Sequence, residues 1–142
     1  MTDPPEAWQL LIPFSQHVRD TVGVVTERLG YSFREEQPNL IRLSNSHVFL
    51  DVSHHPRDGE VSIEFGRVGT DERYSFLLYL RARAARNDAA RGDDVSWTSE
   101  EVRRRLELLA RALEAHGRPI LEGDGHAFSD MEKVRWWNVP DG

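Results

Sequence analysis

Asp51 and Glu64 are the residues whose placement most invites chemistry. They lie in two alternating apolar runs, Val48-Phe49-Leu50-Asp51-Val52 and Val61-Ser62-Ile63-Glu64-Phe65. If Pro56 to Gly59 forms the turn between the runs, the two carboxylates face each other across a β-ladder, about 5 Å apart. A small hydrolase uses such a pair as acid and base, because mutual repulsion drives the two pKa values apart. The same pattern fits two other roles. One is a solvated face on which Arg42 offsets the repulsion. The other is a partner-binding face made of Arg42, Asp51 and Glu64.

Other chemistries find less support. The six histidines show no i, i+4 pair of the kind that holds zinc on a helix. His54 and His55 are neighbours in a strand end, so their side chains point to opposite faces. We read them as surface or turn residues rather than ligands shared with Asp51 or Asp58. The chain has no cysteine, which removes disulfides, thiolate metal sites and cysteine nucleophiles. There is no nucleophile elbow, phosphate-binding glycine loop or dinucleotide fingerprint. No cofactor and no metal are expected.

The elements that must position the acidic pair form an antiparallel meander over residues 40–67. Asn45-Ser46 and Asp58-Gly59 supply turn chemistry. With Asn45-Ser46 as the first loop, Leu43 faces Val48 and Ile41 faces Leu50. The second loop sets Val52 against Ile63, Leu50 against Phe65 and His54 against Val61. A slip by one residue would turn these apolar sets toward water. The opposite face then carries Arg42, Phe49, Asp51, Ser53, Ser62 and Glu64, with Arg42 diagonal to Asp51. An earlier strand begins at Tyr31-Ser32-Phe33. A three-residue loop puts Phe33 opposite Ile41, and a two-residue loop puts it opposite Arg42.

Helical spacing marks the rest. Residues 6–29 read as a helix interrupted at Pro13 and stopped by Gly30. Residues 72–86 read as a second helix, with a strand as the alternative for its aromatic start. Residues 87–97 read as a mobile loop. Thr98-Ser99-Glu100-Glu101 is a capping box opening a helix over 99–116, ended by Gly117. Pro119 prevents its continuation, Ile120-Leu121 is a short buried link, and Asp124 caps a last helix over 125–135. Trp136-Trp137 is either a latch on the core or an exposed aromatic anchor. Strands followed by helices predict an α+β fold, with an antiparallel meander of about four strands and helices on one face.

At 142 residues this is most simply one domain over 1–142. The N-terminus lacks a basic stretch followed by an apolar one, and no run approaches a membrane span, so a cytoplasmic protein is expected. Lys133 is the single lysine among 18 basic residues, a bias that suits a GC-rich bacterial genome. The net charge of −6 is uneven. Residues 1–72 hold 6 basic and 12 acidic side chains, and the remainder holds 12 of each. That disfavours nucleic acid and favours a basic protein partner for the sheet half.

The organisation also resembles small bacterial α+β proteins of unknown function that include toxin-immunity-like families. The similar features are Gly30-Tyr31-Ser32-Phe33, Val48-Phe49-Leu50-Asp51-Val52, the run from Asp58-Gly59 to Gly66-Arg67, and helices ending near Ile120-Leu121-Glu122-Gly123-Asp124. The resemblance implies a non-enzymatic role, binding and blocking a partner such as a toxin effector domain. The expected function is therefore a protein-binding module of immunity type. The alternatives are a small-ligand-binding or sensor domain, or a small hydrolase using Asp51 and Glu64.

Overall fold

The computed structural model describes residues 12–83 and 95–138. The expected helical piece before Pro13, the end of the 72–86 helix and most of the 87–97 loop lie outside them. Helices α1 (Phe14–Asp20) and α2 (Val22–Glu27) precede strands β1 (Ser32–Gln37), β2 (Leu40–Ser44), β3 (Val48–His55), β4 (Glu60–Arg67) and β5 (Tyr74–Ser75). Helices α3 (Phe76–Arg83), α4 (Ser99–His116), α5 (Arg118–Leu121) and α6 (Gly125–Met131) follow, then a 3-10 turn at Trp136–Asn138. The sheet is antiparallel throughout, in the order β1-β2-β3-β4-β5. The fold is thus α+β, with five strands rather than about four.

The added strand comes from the segment read as the start of a helix at 72. Tyr74 and Ser75 pair with Phe65 and Glu64 before the helix begins at Phe76. An aromatic side chain at a strand position next to Phe65 gains packing, with ring centroids 5.7 Å apart, that a first helical turn would forgo.

The β3/β4 pairing has the predicted register, with Leu50 opposite Phe65, Val52 opposite Ile63, His54 opposite Val61 and Asp51 opposite Glu64. The β2/β3 hairpin is shifted by two residues. Leu43 pairs with Leu50, Ile41 with Val52 and Arg42 with Asp51. The cause is Asn45. Its Oδ1 accepts from the N–H groups of both His47 and Val48 at 2.8 Å, and its own N–H donates to Val48 O at 3.0 Å. Asn45 therefore closes the hairpin from outside a Ser46-His47 loop instead of lying within it. A two-residue shift preserves the faces, so the core set survives while Arg42 moves from a diagonal to a direct neighbour of Asp51. Phe33 pairs with Leu43, an option neither loop length gave: Gln37 pairs with Leu40 across Pro38-Asn39, and the bulge between Glu35 and Gln37 moves Phe33 one place, from Ser44 to Leu43.

One face of the sheet is sealed by helices into a core that includes Ile41, Leu43, Leu50, Val52 and Phe65 with Phe14, Leu106, Leu113 and Phe128. The first helix breaks at Thr21 rather than running through to 29. Thr21 Oγ1 donates to His17 O at 2.7 Å, and its backbone (φ −122°, ψ −92°) is not helical. Gly30, at φ +81°, stops α2 as expected. The Thr98–Glu101 capping box is complete in both directions, and Asp124 caps α6 through the His126 N–H. Pro119 sits in the first turn of the short helix α5, where its missing N–H costs nothing. Buried tyrosines fasten the helical layer, Tyr31 Oη donating to Leu121 O at 2.7 Å and Tyr79 Oη to His116 O at 2.9 Å.

Candidate functional site

The face of the sheet away from the core is where the predicted residues meet. Arg42, Asp51 and Glu64 occupy adjacent positions on β2, β3 and β4. A fourth residue that the sequence did not single out completes the group. Arg73, just before β5, places Nη2 at 2.8 Å from both Asp51 Oδ2 and Glu64 Oε1. Arg42 holds Asp51 with two parallel bonds, Nε to Oδ1 and Nη2 to Oδ2, each 2.8 Å. Both guanidinium groups also lie over the Phe49 ring, at 4.4 and 5.5 Å from its centroid. An aromatic ring on the outer face is thereby only 6% exposed, its π-face meeting the cations.

Asp51 is therefore not a solvated outward carboxylate. It is 3% exposed, whereas the Glu64 side chain is 47% exposed. The expectation that both face outward to solvent holds for Glu64 alone, and Glu64 is itself paired with Arg73. Burial pushes the Asp51 pKa up, but the hydrogen bonds and charges of Arg42 and Arg73 outweigh it and hold the carboxyl below its ordinary value. The anticipated repulsion is replaced by a shared cation. A carboxyl held ionised in this way is not suited to be the proton donor of an acid–base pair.

Gly66 makes the network possible. It pairs with Phe49 on the open face, and a Cβ at Gly66 would lie 2.1 Å from Glu72 O and 2.9 Å from the Phe49 ring. The chain after β4 folds back through the space a side chain would fill, and this crossing brings Arg73 to Asp51. The crossing is clamped from its other end. Arg67 donates to Glu72 from Nε at 2.5 Å and Nη2 at 2.7 Å, and Tyr74 Oη donates to Glu72 Oε2 at 2.9 Å. The paired Arg67 lowers the Glu72 pKa, and burial together with the adjacent carboxylate pushes Tyr74 up to about 12. Gly66→Ala should destabilise the fold by about 2–3 kcal/mol, because the clash is with backbone. It should also displace Arg73, read in solution spectra as a shift of the Arg73 guanidinium signals. Unchanged stability would show that the crossing tolerates a methyl group.

Beside the network, the open face forms a groove of about 660 Å³ lined by strand and turn residues. Its charged walls are Asp51, Glu60, Glu64 and Arg73, and its hydroxyls come from Ser53, Ser62 and Ser75. Ser53 Oγ lies 2.9 Å from Ser62 Oγ and 3.2 Å from His55 Nε2. His55 is exposed here while His54 is buried on the other face, the split that strand alternation predicts, but His54 is then a core residue and not the surface or turn residue expected. Among the described residues no group of three or more histidine or acidic side chains is placed to hold a metal ion.

Trp137 is 82% exposed, so it is not a latch on the core; the side chain of Trp136 lies outside the described residues. Among the described residues no helix is long and apolar enough to cross a membrane. No protein-family model, curated protein or solved structure matches the chain.

Proposed function

We propose that the chain is a non-enzymatic protein-binding module of immunity type, which uses the groove on its open sheet face to engage and block a basic protein. The observation that carries this reading is the groove itself, three carboxylates and one guanidinium on a sheet face whose other side is the sealed core. Glu60 and Glu64 are its accessible acids, and Asp51 serves by fixing Arg42 and Arg73 in place. An enzyme acting on nucleic acid carries a basic substrate site, which an acidic groove would attract at long range and cover. The charge imbalance of the sheet half points the same way.

The test is capture of partners from the native host at low salt, followed by rescue of cells expressing the captured protein. The expected partner is basic, dissociates as salt rises past about 0.1 M, and is toxic unless this chain is present. The double variant Glu60→Lys/Glu64→Lys should lose the partner yet melt like the wild type. Equal binding by that variant would move the interface elsewhere, and a non-toxic partner would remove the immunity role. A small-ligand or sensor role is the second reading, favoured by a groove volume within the ~300–1,000 Å³ typical of ligand sites. Thermal stabilisation by a metabolite, lost in the same variant, would select it.

A further inference from the structure

Residues 96–99, which lead into α4, are bound to three separate elements. The Ser96 N–H donates to Gly59 O in the β3–β4 turn at 2.7 Å. Ser96 O lies 2.9 Å from His54 Nε2 on β3. A carbonyl only accepts, so Nε2 carries the proton in that bond. Ser99 Oγ lies 2.7 Å from His17 Nε2 on α1. The Trp97 ring covers Gly59 so closely that a Cβ there would come within 2.9 Å of it. Both histidines are buried beneath this segment, His54 at 3% and His17 at 9% exposure, and the His54 ring packs 6.1 Å from that of Phe14.

We propose that residues 96–99 form an acid-sensitive strap, latched by neutral His17 and His54 and released when these imidazoles take up protons. The charged groups around the two rings define the sign. His17 faces Arg103 and Glu107 from α4 and Asp20 from its own helix. Burial and Arg103 disfavour its cation, and the two carboxylates only partly oppose them. Burial disfavours the His54 cation; the bond to the Ser96 carbonyl partly opposes this, and the neighbouring His55 adds a smaller push in the same direction as burial. Both rings thus bind protons more weakly when covered than in water. The latch is at full strength above the unperturbed value of about 6.5 and weakens as pH falls through the lowered values. Lifting the strap hydrates both rings at once and costs far less buried apolar area than opening the core. It also uncovers Gly59 in the β3–β4 turn, which the Trp97 ring covers.

Amide exchange of Ser96, corrected for the intrinsic effect of pH and compared with that of Leu50, tests the strap. Between about pH 7.5 and pH 5, Ser96 protection should fall at least about tenfold while Leu50 remains protected. The variant His17→Gln/His54→Gln does not titrate; its amides offer a donor to the Ser96 carbonyl and either a donor or an acceptor to Ser99 Oγ, and its Ser96 protection should be insensitive to pH. The proposal is overturned if wild-type Ser96 keeps its protection, if Leu50 loses protection in parallel, or if the double variant behaves as the wild type. Should that variant not fold, titration of the wild-type imidazole signals decides instead. Both rings must titrate below about 6.5, and either one at or above it refutes the latch.

Discussion

Asp51→Lys should cost about 4 kcal/mol of stability, whereas Glu64→Lys should cost under about 1 kcal/mol. The two carboxylates face each other across β3 and β4, yet their surroundings differ. Asp51 accepts three charge-assisted bonds at 2.8 Å from Arg42 and Arg73 and is almost wholly buried. A lysine there would place a third cation between two guanidinium groups and strip the Phe49 ring of its ordered cover. Arg42 and Arg73 are partly exposed and would turn toward water, which keeps the loss below the upper end for a fully buried pair. Among the described residues the Glu64 carboxylate pairs with Arg73, at a half-exposed position. Urea melts of the two single variants measure the contrast. Equal small losses would mean that the Arg42–Asp51–Arg73 network contributes little to the fold.

The same network sets an acid limit. The folded-state pKa of Asp51 is lowered, so its contribution is complete above the unfolded value of about 3.9 and is lost as pH falls below it. This window lies under that of the two histidines. Acidification should therefore release the strap before it weakens the sheet face.

How much of this was legible depends on how far apart in the chain the cooperating residues lie. The α4 capping box needs only Thr98 to Glu101, and it forms as read. The β3/β4 register needs one turn and two alternating runs, and it too follows from the sequence. The β2/β3 hairpin slipped because a single side chain, Asn45, decides between adjacent two-residue loops with the same faces. Asp51 was misjudged for a different reason. Its environment depends on Arg73, 22 positions later, delivered by a crossing that a glycine opposite Phe49 permits. The available signals were Gly66 at the end of a strand pattern, where a side chain would be expected, and an arginine directly before an aromatic run. Neither names its partner without the fold. The two buried histidines were hidden in the same way, since Ser96 lies 42 positions after His54 and Ser99 lies 82 positions after His17.

Leu50→Ala should cost about 3–4 kcal/mol, the other large single loss expected in this protein. Leu50 is 1% exposed at the centre of the sheet, with Leu43 on one side, Phe65 on the other and the helical layer above it. The predicted partner on β2 was Ile41, and the shift in that hairpin substitutes Leu43 without moving Leu50 from the core face. Its neighbours are held by two ladders and by the Phe65 contacts with Tyr79 and Phe128, so they cannot collapse readily into the space left behind. Truncation then costs both the lost transfer energy and an unfilled cavity, at about 24 cal/mol per Å³. The double variant Leu50→Ala/Leu43→Ala should show a coupling of about 0.5–1 kcal/mol or more, because the two residues are directly opposed on the core face. Leu50→Ala/Ile41→Ala should show less. Strong coupling to Ile41 and none to Leu43 would restore the unshifted hairpin. A single-variant loss under about 1 kcal/mol would place Leu50 outside the core altogether.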